Sequence, residues 1–404
     1  MRFPRIQVTA GGLLVGALIA AGALWGVQFA ANPRGAASHA FFERGRDSFG
    51  DFRMPRVCAE WGYANDRQPR CDSCYPALGS ALVKPFPFEA GGWFTALGAL
   101  LWAAAFLALA DGGMGWGALV AGLLSAPMVF ALERGNPVVH AAAAALLFVA
   151  WHDAEVRWKR AAAMLALAAA AALKVAPAAL GVLYFARGRR RARDGEPFAR
   201  GVWLEMAACA GLCAALFFVP FAWFGGCDGF MQWLSNAGEN ARHYAHSGAW
   251  GLVAIGRTVR SVLLHMDVTH AWPGIGAERL VNAALGLGCL AAAVAGPWRR
   301  TAWRAVPAGE AGGAGDVLML VTAGMLLVPG NMHFYSGIYL LPVLAMRLRE
   351  GMAWGEAACW FALLCPLQLP MGAGSLNRPL ANLAFMGLLA LAGVRRWKGA
   401  RHDS

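Results

Sequence analysis

The chain has 404 residues, of which 58% are hydrophobic and 14% charged, and its mean hydropathy is +0.48. A soluble domain averages about 25% charged residues, so this composition excludes a soluble enzyme and a disordered chain and indicates a polytopic membrane protein. The net charge of +12 is typical of the Lys and Arg that collect in cytoplasmic loops, and no basic run is interleaved with the stacking aromatic residues that nucleic-acid binding would require.

The first predicted element is a membrane helix within residues 6–31. This run is longer than the ~7–15 residues of a signal-peptide core, so we expect it to be retained; cleavage near residues 36–38 is the alternative. Residues 32–88 are the predicted first extracytoplasmic loop. Further apolar stretches lie near residues 89–110, 114–132, 137–151, 161–173, 176–186, 202–224, 279–296, 316–329, 333–346, 352–370 and 379–395. Together they predict a single all-α integral membrane domain over residues 1–404, with about 12 transmembrane helices.

Two segments depart from a plain membrane helix. The stretches 161–173 and 176–186 are short and meet at Lys174-Val175-Ala176-Pro177, which predicts a broken or re-entrant pair. Residues 248–264 are more amphipathic, which favours a helix lying at the membrane interface.

The distribution of positive charge predicts the orientation of the chain. With the N-terminus inside, the inner loops hold 20 Lys and Arg, the long first outer loop holds 8, and all other outer positions hold 7. Long loops contribute little to orientation, so the 20-to-7 division favours both termini in the cytoplasm. The strongest single signal is the Arg-rich segment 187–201, which is also the predicted cytoplasmic linker between two halves of the chain.

On this topology a small set of polar residues falls at outer helix ends, where ionisable groups tend to be functional. Asp51, in the first outer loop, could take the proton of an acceptor hydroxyl as it attacks a sugar carbon. The alternative is a helix N-cap, which Asp favours and which the spacing alone supports better. Arg134 and Asn136 precede Pro137, either as a conventional helix start or with Arg134 as a phosphate ligand suited to its guanidinium fork.

Two further residues interrupt apolar sequence on the same side. Lys174 stands in an Ala-rich run, where it either snorkels to the surface or neutralises an anion. His333 follows Pro329 and Gly330, which break a helix. Its imidazole either contacts a phosphate oxygen or shuttles a proton, or is a satisfied bystander at the interface. Several such groups on one face suggest a single outward-facing site.

The cysteines of the first outer loop allow a disulfide, because the exterior of the membrane is oxidising. Cys58 could pair with Cys71 or with Cys74. Cys71 and Cys74 form a CxxC pair without a second apparent ligand pair, so we predict neither a metal site nor a cofactor. The chain contains no GxxxxGK[ST] and no HExxH motif, so an ATP-driven pump and a zinc protease have no support.

Several motifs occur in a characteristic order: Gly50-Asp51-Phe52, Tyr75-Pro76-Ala77-Leu78, Gly135-Asn136, Leu173-Lys174-Val175-Ala176-Pro177, and Pro329 to Pro342 with His333. In this order they resemble the GT-C superfamily of membrane glycosyltransferases, specifically glycosyltransferase family 87, which includes polyprenol-phosphate-mannose-dependent mannosyltransferases. The second motif is similar to the family's Tyr-Pro-Pro and the fourth to its Lys-x-x-Pro element. Val328 departs from the serine usually found before the late proline.

The resemblance implies a GT-C-like fold, a polyprenyl-phosphate sugar donor, an active site on the outer face of a bacterial inner membrane, and inversion at the anomeric carbon. Carried over by position, Asp51 is the general base and His333 contacts the donor phosphate; we add Lys174, Arg134 and Asn136 as further donor-phosphate contacts. The expected activity is hexosyl transfer, with mannose as the sugar and a glycolipid or glycan as acceptor. The expected partners are these substrates and membrane lipids, without nucleic acid. A transporter or lipid flippase is the alternative, which the one-sided polar residues disfavour.

Overall fold

The computed structural model of the chain describes residues 9–32, 49–63, 71–110, 116–185, 200–243, 250–260, 264, 273–295, 313–329, 332–367, 370–371, 374–375 and 377–402. Most of the predicted linker 187–201 lies outside the described residues, as do parts of the first outer loop and of the segment before His333. The predicted all-helical class is confirmed, since the described strands are confined to one pair of two residues each.

The α-helices are numbered in chain order. The first eight are α1 (Ala10–Ala31), α2 (Gly50–Trp61), α3 (Ala77–Val83), α4 (Gly91–Ala110), α5 (Trp116–Leu123), α6 (Ala126–Glu133), α7 (Val138–Trp151) and α8 (Arg157–Leu173). The others are α9 (Arg200–Phe218), α10 (Gly226–His243), α11 (Gly251–Thr258), α12 (Ile275–Ala295), α13 (Ala314–Leu327), α14 (Leu341–Glu350), α15 (Trp354–Leu364) and α16 (Asn377–His402). Short 3₁₀ helices span Ala176–Gly181, Val219–Trp223 and Phe334–Leu340, and β1 (Pro370–Met371) pairs antiparallel with β2 (Gly374–Ser375).

Helix α1 shows the burial pattern of a helix at the edge of a membrane bundle. Its buried residues include Ala10, Leu14 and Leu18, which share one face because they are four positions apart. Away from this face the helix stays apolar: Leu24 is 50% exposed and Val27 66% exposed. A helix that is apolar all round and packed on one side presents its remaining surface to an apolar solvent.

Four described helices are long and apolar enough to cross a membrane: Ala10–Ala31, Gly91–Leu109, Val202–Trp223 and Ile275–Ala295. Helices α5 and α6 would together make a fifth, although the chain bends by 52° between them. The predicted number of about 12 crossings is not confirmed. The other predicted stretches that fall on described residues form shorter helices, such as α13 with 14 residues, because an apolar stretch of that length is equally suited to a buried core helix.

The core is built around two short helices. Every residue of α13 is buried, and α13 contacts α12, α14 and α16. Helix α7 lies between α4 and α8. Helix α8 ends at Lys174, whose backbone is extended, and the chain continues as a 3₁₀ helix from Ala176. The predicted break between residues 161–173 and 176–186 is therefore present.

The predicted amphipathic segment 248–264 contains α11, whose start is anchored inside the fold. The backbone N–H of Gly251 donates to Asn382 Oδ1 at 2.9 Å, and that of Leu252 donates to Asn282 Oδ1 at 2.7 Å. The residue before the helix, Trp250, is 2% exposed. These bonds tie α11 to α12 and α16.

A buried network of charges joins α13, α14, α15 and α16. Glu356 accepts hydrogen bonds from Arg347 Nε at 2.8 Å and from Arg395 Nη1 at 2.9 Å. Arg395 Nε also donates to Asp316 at 2.8 Å, and Arg347 pairs with Glu350. Asp316 and Glu356 are 1% and 2% exposed. Because water cannot solvate these buried carboxylates, the arginines of the network compensate their charges.

Candidate functional site

The start of α2 lies directly against the turn between α6 and α7. The backbone N–H of Phe49 donates to Glu133 O, and that of Asp51 donates to Arg134 O, both at 3.0 Å. Gly135 in the turn has a φ of +65°, and a Cβ added to it would lie 2.8 Å from the Cβ of Phe52. Only glycine accepts both this backbone conformation and this close approach. The two segments therefore meet backbone to backbone, which places the side chains of Asp51 and Arg134 side by side.

Asp51 is held by two side chains from the α6–α7 turn. Arg134 Nε donates to Asp51 Oδ2 at 2.9 Å and Arg134 Nη2 donates to Oδ1 at 3.1 Å. Asn136 Nδ2 donates to Oδ2 at 2.7 Å, while its own Oδ1 accepts from the N–H of Val138 at 2.8 Å. A bidentate guanidinium pair fixes direction as well as distance, so the carboxylate has one defined orientation.

The expected alternative for Asp51, a helix N-cap, is wrong. The residue that precedes α2 is Phe49, and Asp51 lies in the first turn with its side chain on Arg134. Phe49 has a φ of 59° without being glycine. Such left-handed backbone costs free energy and persists where the surroundings enforce it, often at functional sites. Here the contacts with Glu133 and Arg134 enforce it.

Lys174 lies between two tyrosine rings. Its Nζ is 4.2 Å from the ring centroid of Tyr75 and 5.5 Å from that of Tyr335. The ring of His333 stacks on Tyr335 with centroids 5.3 Å apart, and the backbone O of His333 accepts from Trp250 Nε1 at 3.2 Å. The break after α8 and the segment before Phe334 thus bring Lys174 and His333 to one place.

Asp51, Arg134, Lys174 and His333 all line one cavity of about 750 Å³. This volume is typical of a small-molecule site. Much of the remaining lining is apolar and comes from the 3₁₀ helix after Lys174, from α12 and from α13 with the residues after it: Val175, Ala176, Ala179, Leu290, Gly324, Met325, Val328, Pro329 and Met332. The cavity thus joins charged groups at one part of its wall to an extended apolar surface.

The disulfide in the described part of the first outer loop pairs Cys58 with Cys71. It connects α2, which carries Asp51, to the segment leading to Tyr75. Cys74 is a free thiol that lines the cavity, and burial raises the pKa of this thiol, although the Lys174 ammonium opposes the shift.

Sequence reasoning missed the contributions of Tyr335 and of α10. Trp233 and Asn240 of α10 line the cavity. The indole N–H of Trp233 donates to Cys74 O at 3.1 Å, and Asn236 Nδ2 donates to Cys71 O at 2.7 Å. The strong amphipathic pattern of residues 226–243 was the available signal for a helix at the site.

Sequence reasoning did select Asp51, Arg134, Lys174 and His333, and the structure brings all four to the cavity. Asn136 contacts Asp51 directly. Among the described residues, no three His, Cys, Asp or Glu side chains are grouped so that they could hold a metal ion.

Residues 74–329 match the model of glycosyltransferase family 87, which is well over half of the 404-residue chain. The matched range includes Arg134 and Lys174, whereas Asp51 and His333 lie on either side of it. No curated protein and no solved structure matches the chain.

Proposed function

This chain belongs to glycosyltransferase family 87, and we propose that it transfers a hexose, with mannose as the expected sugar, from a polyprenyl-phosphate donor to a glycolipid or glycan acceptor. The observation that carries the proposal is the composition of the cavity. An oriented carboxylate, an ammonium group and an imidazole share its wall with many apolar residues. These are the groups that a lipid-linked sugar phosphate and an incoming hydroxyl would require.

Asp51 acts as the general base. It takes the proton of the acceptor hydroxyl while the acceptor oxygen forms a bond to the anomeric carbon. The bond from that carbon to the phosphate oxygen breaks on the opposite side, and the phosphate leaves with the electron pair, so the anomeric configuration inverts. Cationic groups placed at the phosphate stabilise the charge that develops on the leaving oxygen. Lys174 supplies this charge, and the His333 imidazole contacts a phosphate oxygen as a hydrogen-bond donor.

Arg134 and Asn136 position the base. Both donate to Asp51, and the guanidinium uses two of its N–H groups there. In this arrangement their effect on the reaction passes through the orientation of Asp51. The direct contacts with the donor phosphate that the sequence suggested for both residues stay predictions.

The apolar part of the cavity supports a donor with a lipid tail. Ala176 and Ala179 line one side, Leu290 of α12 lines another, and Met325 of α13 lies with them. The 3₁₀ helix and α12 both pack on α13. A polyprenyl chain would bury its apolar surface against these residues, which is favourable at about 25 cal/mol per Å² of apolar area.

Exposed tryptophans support the proposed placement of helix ends at the membrane surfaces. Trp residues concentrate at the two membrane–water interfaces. Those at the helix ends predicted to be cytoplasmic are strongly exposed, namely Trp116, Trp158, Trp203, Trp354 and Trp397. Those at predicted outer ends are exposed too, namely Trp61, Trp93 and Trp223. This pattern is compatible with about 12 crossings, whereas the proposed cytoplasmic termini and outward-facing cavity in a bacterial inner membrane rest on the distribution of Lys and Arg.

Sugar transfer by purified protein tests the proposal. The full chain in lipid nanodiscs is incubated with radiolabelled polyprenyl-phosphate sugars and cell-envelope extract as acceptor. We expect transfer from one donor, and a loss of about 10²–10⁴-fold in rate for Asp51→Asn, the usual contribution of a general base. Asp72→Asn is the matched control, because Asp72 is exposed in the same loop and should transfer at the wild-type rate.

Two results would contradict parts of this proposal. Equal transfer by wild type and Asp51→Asn removes Asp51 from the role of base and leaves the enzyme class intact. Absence of transfer from every donor, by folded protein supplied with defined glycolipid acceptors as well as the extract, rejects the transferase activity. A lipid-translocation assay in vesicles is then the appropriate measurement.

A further inference from the structure

Lys174 is a cation without a carboxylate partner. Its Nζ lies 4.2 Å from the ring centroid of Tyr75 and 5.5 Å from that of Tyr335, and the Asp51 carboxylate acts on it from a longer distance. Within the described part of the chain, no Asp or Glu oxygen lies within ion-pair distance of it. Arg134 in the same cavity differs, since Asp51 compensates its charge. The two cations of the site are therefore held in different ways.

The ring of Tyr75 is fixed through its backbone. The N–H of Tyr75 donates to Ser73 Oγ at 3.1 Å, and its carbonyl accepts from the hydroxyl of Tyr63 at 2.6 Å. The Tyr63 hydroxyl is also 2.9 Å from Ser80 Oγ in α3. Tyr75 itself is 4% exposed. These bonds fix the backbone of Tyr75, and the burial of its side chain limits the positions that the ring can take.

Tyr335 is held by a separate set of contacts. It is 7% exposed, and its ring lies between those of His333 and Phe130, with centroid distances of 5.3 and 5.7 Å. Tyr335 lies in the 3₁₀ helix that directly follows His333. The two tyrosines thus reach Lys174 from separate segments of the chain.

We propose that Tyr75 and Tyr335 form an aromatic clamp that holds the Lys174 ammonium at the cavity wall, ready to receive the donor phosphate. The face of an aromatic ring carries partial negative charge and attracts an ammonium group without neutralising it. A carboxylate in the same place would orient the lysine but would cancel the charge that a phosphate needs. The clamp therefore makes both tyrosines positioning residues, and its substrate rests on the proposed function.

The clamp itself is tested without any substrate, by the reactivity of the Lys174 amine. Full-length protein in nanodiscs is treated with an acetylating reagent, and acetylation of Lys174 is followed over time by peptide mass spectrometry. Rings that stabilise the ammonium form slow its acetylation, so we expect Tyr75→Leu to raise the rate about tenfold. Tyr75→Phe keeps the ring, and its acetylation rate should stay within about twofold of wild type. If the hydroxyl were the group that matters, the Phe and Leu variants would instead behave alike.

Two internal comparisons separate the clamp from a general loosening of the fold. Lys159 lies 5.7 and 5.9 Å from the rings of Trp151 and Trp158, away from the cavity, so its acetylation should not change in any variant. Tyr335→Leu and Tyr335→Phe repeat the comparison from the other side, with a smaller effect because this ring is farther from Nζ. Equal Lys174 acetylation in wild type, Tyr75→Leu and Tyr335→Leu would overturn the clamp, as would equal acceleration in the Leu and Phe variants.

The phosphate contact is measured separately, by calorimetric titration with farnesyl phosphate. We expect Tyr75→Leu to weaken binding about tenfold and Tyr75→Phe to bind as wild type does, in the order of their Lys174 reactivities. Wild-type binding that is unchanged in Tyr75→Leu rejects the role of the clamp in receiving phosphate. If the Leu variants show faster acetylation and wild type does not bind farnesyl phosphate, the clamp stands and the proposed donor class is rejected.

Discussion

At Asp51 both carboxylate oxygens accept hydrogen bonds before any substrate is bound. Oδ2 accepts from Arg134 and Asn136, and Oδ1 accepts from Arg134. Each oxygen of an ionised carboxylate has two lone-pair positions, so one position, on Oδ1, remains for an acceptor hydroxyl. The arrangement restricts the directions from which that hydroxyl can approach, which favours a single attacking geometry.

Replacement of Arg134 by Lys should show the value of this orientation. A lysine ammonium cannot reproduce the planar two-point contact of a guanidinium, although it keeps the charge. We expect Arg134→Lys to lower kcat about a hundredfold, the usual effect of displacing a catalytic group by 1 Å, in the nanodisc transfer assay.

The matched control for this variant is Arg53→Lys, because Arg53 is exposed on α2 close to Asp51. Its kcat should equal that of wild type. A kcat for Arg134→Lys that is also unchanged, with KM alone increased, would assign Arg134 to donor binding instead of to the base.

The members of the site differed in how well the sequence could predict them. Asp51, Lys174 and His333 stood out because charged or titratable residues are rare near apolar segments. Tyr335 gave no such signal, since an aromatic residue beside a membrane helix is ordinary. The contact of Asn136 with Asp51 joins residues 85 positions apart, and no local spacing encodes that.

The Cys58–Cys71 disulfide links helix α2 covalently to the segment that carries Tyr75. The two cysteines are separated by 13 positions, and closing a loop of about this length stabilises a folded chain by roughly 3 kcal/mol. We expect the double variant Cys58→Ala/Cys71→Ala to unfold at a lower Tm in a thermal-denaturation experiment.

Cys227→Ala is the control for the disulfide, because Cys227 is an exposed free cysteine. Its Tm should match that of wild type. A reducing agent should lower the Tm of wild type and Cys227→Ala equally and leave the double variant unchanged; a Tm that is insensitive to both treatments would contradict a stabilising disulfide.

Helix boundaries that a charged residue or a proline marks within an apolar run were predictable from the sequence. The break after α8 was expected from Lys174 and Pro177 within an Ala-rich run, and the chain leaves the α-helix there. The separation of 114–132 into α5 and α6 was not expected. Pro127 lies in the first turn of α6, where proline is favoured, but the apolar composition on both sides obscured the bend.

At the scale of the whole molecule, two groups of charged side chains lie at separate places in the part of the chain that the structure describes. One group lines the cavity, and the other is the buried network around Glu356 that joins α13 to α16. The cavity residues Met325 and Val328 lie at the other end of α13 from Asp316. The network therefore fixes the four helices at a distance from the site.

Glu356→Gln tests the stability that this network provides. Removal of one partner from a buried ion pair leaves uncompensated charge and costs about 3–5 kcal/mol. We expect a clear decrease in Tm with the transfer rate of the folded fraction unchanged, because Glu356 does not contact the cavity.

Glu60→Gln is the comparison for this variant. Glu60 pairs with Arg56 at 2.7 Å, but its side chain is 45% exposed, and such pairs contribute about 0–1 kcal/mol. Equal Tm values for the two variants would contradict a stabilising role of the buried network.

The Lys174 ammonium, which has no direct ion pair among the described residues, also bears on what happens after a turnover. A sugar linked through a phosphodiester carries one negative charge, whereas the spent lipid carrier is a monoester with about −1.5 to −2 at neutral pH. The same ammonium therefore attracts the product more strongly than it attracts the donor. On the proposed reaction, we therefore expect the spent carrier to compete with the donor for the site until that lipid diffuses back into the bilayer.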